Sequence, residues 1–200
     1  MIDQQKDTRK ALIEAASELF AHKGFYGTSI RMVAEQVGIS KASLLHHFLS
    51  KEKLYAAVMS RIADGILREL EDDIAASSEP KAQLQRFVDG LNSWLQYHHS
   101  DALVLMRDLL DNPKRTGHIG TWHLRPLIER LVSIVEAGQA AGEFRELNPL
   151  SFVYNLLGAQ HYFMISQATL KGMLPAEDYR ELVANQPHEL KTWIENHLHK

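Results

Sequence analysis

The chain has 200 residues, 45 % of them apolar, with 22 Lys and Arg against 25 Asp and Glu and no cysteine. That is enough apolar material to bury a core in one or two domains, and it excludes disulfides, thiolate nucleophiles and Cys-held metal. The net charge of −3 excludes a uniformly basic nucleic-acid binder, but residues 1–60 carry eight Lys/Arg and six Asp/Glu, so a head of +2 sits on a body of −5.

The first ten residues hold no apolar run, so no signal peptide is expected. The most apolar stretch, Phe152–Ile165, is interrupted by Asn155, Gln160 and His161 and is too short to span a bilayer. With no cysteine and no membrane segment, a cytoplasmic location is expected. Alternating β-branched runs between turn residues are absent, and helical periods dominate. The expected fold class is all-α.

Thr28 is the expected N-cap of a helix running to about Gln36. Ile30, Val33, Ala34 and Val37 form its apolar face at i, i+3, i+4 and i+7. Gly38 ends it, where a left-handed backbone suits glycine. Ser40 caps a second helix to about His47, with Leu44 and Phe48 facing inward. Two short helices about a glycine turn are the build of a helix-turn-helix, whose second helix enters the DNA major groove. Residues 22–53 hold five Lys/Arg and two carboxylates. Lys51 and Lys53 follow Ser50, the expected cap of the next helix, and lysines with free backbone N–H groups at a helix start make a phosphate site.

Residues 8–59 resemble the DNA-binding domain of the TetR family of bacterial transcriptional regulators. The resemblance rests on a helix Arg9–Lys23 with Ala11, Ala16, Leu19 and Phe20, then Gly24-Phe25-Tyr26-Gly27-Thr28-Ser29-Ile30. It continues through Val33-Ala34, Val37-Gly38-Ile39-Ser40-Lys41, His47-Phe48 and Lys51-Glu52-Lys53-Leu54. Ala42 stands where the family often has Gly, and Leu45 where it usually has a backbone-contacting Tyr. Leu45 has no hydroxyl, so it either touches a thymine methyl or simply packs. The resemblance implies a helix-turn-helix domain over 1–53 and a larger helical ligand-binding and dimerisation domain over 54–200, about nine helices in all.

Lys41, Ser43, His46 and Leu45 are the candidates for base edges. Thr28, Ser29, Arg31, Ser40, His47, Lys51 and Lys53 are the candidates for phosphates and register.

Beyond the head, one long helix is expected over 51–76, with Leu54, Val58, Ile62, Ile66 and Leu70 on its buried side. Pro80 opens a helix to about His98, and Asp101–Asp111 forms another, followed by a loop at 114–121. A helix from near Thr121 to Ala141 has Pro126 either in its first turn or at a kink, and Gly142 caps its end. Asn148-Pro149 starts a helix to about Lys171. Pro187 divides the last segment, 176–198, into two expected pieces.

The helix 149–171 is apolar on nearly all sides, so it must be covered all round. Gly158 and Ala159 permit close approach, and Tyr179, Leu182, Val183, Leu190, Trp193 and Ile194 form a second stripe. A homodimer through 149–171 and 176–198 is therefore expected, and the resemblance implies the same. Two heads would then read the half-sites of a palindromic operator.

The resemblance also implies a ligand pocket in the body. Phe87, Trp94, Tyr97, Met106, Trp122 and Phe163 are its candidate lining, suited to a small hydrophobic effector. Eleven His include the pairs His46/His47 and His98/His99, but none has the spacing of a metal site, and no cofactor is expected. Nucleophile elbows, phosphate-binding Gly loops and Glu-x-x-His pairs are absent. The expected function is a ligand-responsive repressor; the other readings are an all-helical enzyme or a scaffold that does not bind DNA.

Overall fold

The computed structural model describes residues 2–111 and 123–198, with side chains from residue 5 onward. The expected loop 114–121, the candidate Trp122 and the tail His199-Lys200 lie outside the described residues. Among the described residues the chain is all-α. Its nine helices are α1 (Ile2–Gly27), α2 (Ile30–Val37), α3 (Lys41–Phe48), α4 (Lys51–Ala75), α5 (Pro80–Tyr97), α6 (His99–Asp111), α7 (Arg125–Ala140), α8 (Pro149–Met173) and α9 (Ala176–Leu198). No described helix is long and apolar enough to cross a membrane.

The helices gather into two compact units. The first holds α1 to α3, α4 as far as Gly65, and α6; the second holds the rest of α4, then α5 and α7 to α9.

In the first unit, Leu12, Ala16 and Phe20 of α1 are buried with Val33 and Ala34 of α2, Leu44 and Phe48 of α3, and Leu54, Val58 and Ile62 of α4. The α-helical ladder of α1 breaks at Gly24 (φ 70°, ψ 176°), in a region where a Cβ would be strained. Arg107 of α6 closes that break, donating from Nε to the Ala21 carbonyl (2.6 Å) and from Nη2 to the His22 carbonyl (3.0 Å). A cation on the last carbonyls of a helix meets both its unpaired acceptors and the negative end of its dipole.

A second arginine joins three helices. Arg61 of α4 donates from Nη1 to Asp101 of α6 (3.0 Å) and from Nη2 to Ser17 of α1 (2.9 Å), and the Ser17 hydroxyl donates to the same carboxylate (2.9 Å). Tyr55 of α4 donates to Asp108 of α6 (2.9 Å). Side chains from three parts of the sequence thus fix α6 against α1 and the first half of α4, through charge-assisted bonds stronger than neutral ones.

In the second unit the buried residues include Ile66 and Leu70 of α4, Phe87 and Leu91 of α5, and Leu131 and Ile134 of α7. Leu156 of α8 and Leu190 and Ile194 of α9 complete that core. Pro126 lies in the first turn of α7, where the missing N–H costs nothing. Asn148 caps α8, accepting from the Ser151 N–H at 2.8 Å. At the end of α7 the Gly138 carbonyl accepts the N–H groups of Glu143 (2.9 Å) and Phe144 (3.0 Å), with Gly142 left-handed at φ 75°.

Two expectations about local structure are corrected. The N-cap of α2 is Ser29, not Thr28: its hydroxyl accepts from the Met32 N–H at 3.2 Å. Thr28 turns inward instead, and its hydroxyl is shared between the carbonyls of Gly24 (2.9 Å) and Leu19 (3.1 Å). The last segment is one helix, α9, with Pro187 inside it. A proline removes one backbone bond from a helix, but Leu190, Ile194 and Leu198 on the far side are all buried, and their packing keeps the register.

Gly138 is where packing density is least forgiving. A Cβ there would lie 2.1 Å from Cδ2 of the buried Phe144 ring. Alanine in a helix interior gains about 1 kcal/mol over glycine, whereas overpacking a filled core costs about 1–3 kcal/mol or more. Gly138→Ala is therefore expected to lower the unfolding free energy in urea titration, and an increase would show that Phe144 moves aside freely.

Candidate nucleic-acid interface

α3 is held from both ends and from below. Ser40 caps it, accepting from the Ser43 N–H at 3.1 Å. Gly38 supplies the left-handed residue (φ 77°, ψ 29°) that ends α2 and turns the chain toward Ser40. Leu44 and Phe48, four residues apart, are buried, at 0 % and 4 % exposure. Lys41, Ala42 and His46 are left exposed, and Ser43, Leu45 and His47 half-buried. The rings of His46 and His47 stand 6.0 Å apart near the end of the helix.

Leu49 follows in the positive-φ region (φ 58°, ψ −38°) and is 78 % exposed. It makes the sharp corner that brings Ser50 to cap α4, where the Ser50 hydroxyl accepts from the Lys53 N–H at 3.2 Å. The capped start of α4 thus stands directly after α3, with its N-terminal N–H groups and the exposed Lys53 on offer to an anion.

The structure divides the candidate DNA contacts by what their polar atoms already do. Lys41 and Lys53 are exposed, and among the described residues neither ammonium has a partner. Ser29 and Ser40 are exposed, with their oxygens engaged as caps and their hydroxyl hydrogens still available. Arg31 is exposed but paired with Glu35 on its own helix at 2.7 Å, so a phosphate must compete with that carboxylate.

Two candidates are drawn inward. Thr28 is 2 % exposed and its hydroxyl is spent on main-chain carbonyls, so it offers nothing to a phosphate. Lys51 donates to the carbonyls of Phe25 (2.9 Å) and Thr28 (3.1 Å), and its ammonium lies 4.3 Å from the centroid of the Phe25 ring. It is a brace across the loop between α1 and α2. Phe25 and Phe20 stack edge-on against Tyr55 at 5.1 and 4.9 Å, which extends that brace into the core.

One cation of this face does not appear among the sequence candidates. The Arg9 guanidinium of α1 sits 4.9 Å over the Phe48 ring, beside the end of α3. The signal for it was available in the exposed basic run Lys6, Arg9 and Lys10, but its nearness to α3 was not.

The described candidate effector residues fall in both units. Phe87 and Trp94 are buried on α5, and Phe163 is half-buried on α8. Tyr97, at the end of α5, is 84 % exposed among the described residues. Met106 is half-buried in the first unit, whereas Phe87, Trp94 and Phe163 belong to the second. A shallow groove between α5 and α9, lined by Leu84, Val88, Phe144 and Ile194, contains none of them. Among the described residues no group of three His, Asp or Glu is placed to hold a metal ion.

Residues 12–58 match the family of bacterial regulatory proteins called tetR, and residues 77–194 match the tetracyclin repressor-like C-terminal domain. The transcriptional regulator RutR of Escherichia coli K12 is 29 % identical over 159 residues, covering 77 % of this chain and 73 % of that one. The transcriptional repressor KstR2 of Mycobacterium tuberculosis is 28 % identical over 156 residues, covering 77 % and 78 %. AibR, solved in complex with isovaleryl coenzyme A and operator DNA, shares the fold at a TM-score of 0.67 with 18 % identity, covering 78 % and 85 %. Both the helix-turn-helix and the helical body match this family: the chain is a member of the TetR family of DNA-binding transcriptional regulators, a family of regulators and not of enzymes.

Proposed function

We propose that the chain is a ligand-responsive repressor that binds a palindromic operator as a homodimer in the cytoplasm and is released by a small, largely apolar effector. The observation that carries the DNA-binding part is α3. It is an eight-residue helix pinned by Leu44 and Phe48, with Lys41 and His46 exposed and the free Lys53 just beyond it. Lys41, Ser43, His46 and Leu45 are assigned to base edges. Ser29, Arg31, Ser40, His47, Lys53 and the added Arg9 are assigned to phosphates. In this assignment residues 1–53 form the DNA-binding part, and 54–200 the effector and dimerisation part.

The dimer rests on α8. Leu150, Tyr154, Tyr162 and Ile165 recur at helical spacing and are 51, 64, 71 and 45 % exposed. Gly158 lies in the same stripe, and a Cβ there would meet nothing within 4 Å. A face of large apolar residues flanking a glycine suits a second copy of the same helix. α9 is expected to contribute its first half, where Tyr179, Leu182 and Val183 are only half-buried. Its second half is already engaged within the chain: Leu190 and Ile194 are buried, and Trp193 stacks on Phe152 at 6.0 Å.

An apolar effector fits the buried Phe87 and Trp94 and the half-buried Phe163. The isovaleryl coenzyme A of AibR and the ketosteroid regulator KstR2 support an effector with an apolar part. Repression is supported by the repressors among the relatives.

The reading is tested by selection from random duplex DNA at about physiological salt; an enriched palindrome is expected, and equal weak binding to every duplex would refute it. On that operator Lys53→Ala should lower the salt slope by ~0.9, one phosphate contact, with little change in sequence preference. Lys51→Met should behave differently. It removes charge-assisted bonds worth about 1.5–3 kcal/mol each, so the melting temperature should fall while the salt slope stays nearly constant. A lower slope at unchanged stability would return Lys51 to the phosphate contacts. Tyr162→Asp lies on an exposed position, where a substitution changes chain stability by about 0.5 kcal/mol or less. It is expected to give a monomer in sedimentation at micromolar concentration, and a persistent dimer would move the interface off α8.

A further inference from the structure

Gln160 of α8 is the one buried polar side chain of the second unit among the described residues, 3 % exposed. Its amide nitrogen faces two acceptors, the Val88 carbonyl at 3.3 Å and Oδ1 of Asn92 at 3.1 Å, both on α5. Two acceptors on one side fix the orientation of both amides. Gln160 must point its NH2 toward them and its Oε1 away. Asn92 spends its oxygen on Gln160 and turns its NH2 elsewhere.

One acceptor and one donor are left over. Gln160 Oε1 and Asn92 Nδ2 are both shut off from solvent, and neither has a partner among the described residues. Buried polar atoms are nearly always paired, and leaving one unpaired costs free energy. An apolar pair of the same shape can fill such a place at no net cost, so stability alone gives no reason for two amides here.

The surroundings limit what such a pair can recognise. Leu156 and Met164 lie one turn to either side of Gln160 on the same face of α8, and Val88 lies one turn before Asn92; all three are buried. No charged side chain is buried in this unit among the described residues. Beside Gln160 on α8, His161 has its ring Nδ1 2.8 Å from the Leu157 carbonyl, and burial pushes its pKa down, which disfavours the cationic ring; Tyr162 is exposed. An anion placed here would meet the Gln160 oxygen with no cation to offset it.

We propose that Gln160 and Asn92 are the polar contact of the effector site, and that they select a neutral group which both donates and accepts a hydrogen bond, a lactam or a hydroxyl, on an apolar ligand. This rests on the ligand-responsive reading above and deepens it: Asn92 Nδ2 donates to the ligand oxygen, and Gln160 Oε1 accepts its N–H or O–H. A site built this way rejects an analogue that lacks either group, because its own buried atoms then stay unpaired.

The test uses ε-caprolactam, cyclohexanol and cyclohexanecarboxylate as millimolar probes of similar size, read by thermal shift on the full-length protein. A neutral probe is expected to raise the melting temperature of the wild type and not of Gln160→Met, and the carboxylate to do neither. The lactam and the alcohol separate the two sources of the donor–acceptor group. No protection by either neutral probe, equal protection of wild type and variant, or equal protection by the carboxylate overturns the proposal. A second measurement needs no ligand: the double variant Gln160→Met, Asn92→Leu should melt at least as high as the wild type, by about 2–4 °C more if one unpaired group's cost is recovered. A fall, or a failure to fold, would mean that the amides hold α5 to α8 structurally, and would overturn the proposal. Operator binding by the wild type without probe is measured alongside, so a failure of the regulator reading shows up there and not in the probe data.

Discussion

An eight-residue helix has no stability of its own in water, because nucleation is costly and so few bonds repay it. α3 therefore exists only as far as its surroundings hold it, and its presentation to DNA inherits their rigidity. Two buried side chains, Leu44 and Phe48, attach it to the core, and Ser40 satisfies its first turn. In the same unit the Phe20 and Phe25 rings each meet Tyr55 edge to face, and Lys51 is tied to the carbonyls of Phe25 and Thr28. A loosened core at Leu44 or Phe48 would reach the DNA-facing side as a misplaced Lys41.

The same logic explains how the basic residues of the first unit are distributed. A cation that must bind a phosphate has to stay solvated and uncommitted until it does so. Lys41 and Lys53 meet that condition. Lys51, Arg61 and Arg107 do not, for each is spent on carbonyls or a carboxylate inside the protein. Arginine takes the two positions where a planar fork is needed, at the end of α1 and among Ser17, Asp101 and α4, since its donors reach two acceptors in fixed geometry. The net charge of this unit is thus a poor count of its DNA contacts, because some of its cations build the scaffold that displays the others.

The second unit follows a different rule. Its core is almost wholly apolar, and its ion pairs lie on the outside: Lys81 with Glu195 and Lys191 with Asp89 between α5 and α9, Arg130 with Glu71 between α7 and α4, and Arg125 with Glu129 along α7. Against that background the Gln160–Asn92 pair is the departure, and departures from a locally consistent core are where function tends to be found. α8 also carries an uncovered stripe, so one helix bears both an inward polar contact and an outward apolar face. A change in what touches Gln160 has only the thickness of α8 to cross before it meets the proposed partner surface.

The sequence by itself determined the helices and most of their ends. Caps and glycines act within four residues, and periodicity states which face is apolar, so Ser40, Gly38, Asn148 and the buried row Leu54, Val58, Ile62, Ile66 and Leu70 were all legible. The helix-turn-helix and the family were legible for the same reason, since they lie in one short run of residues. What only the tertiary structure decided depends on partners far apart in the chain. Whether Thr28 or Ser29 caps α2 turned on the Gly24 carbonyl below it, and whether Lys51 is free turned on the Phe25 ring. Pro187 sits inside a helix because Leu190 and Ile194 are held by packing that no local rule describes. Arg107 closes α1 from 85 residues away, and Arg9 reaches Phe48 across two helices. A side chain's type sets which bonds it can make; only the fold brings the acceptor within about 3 Å.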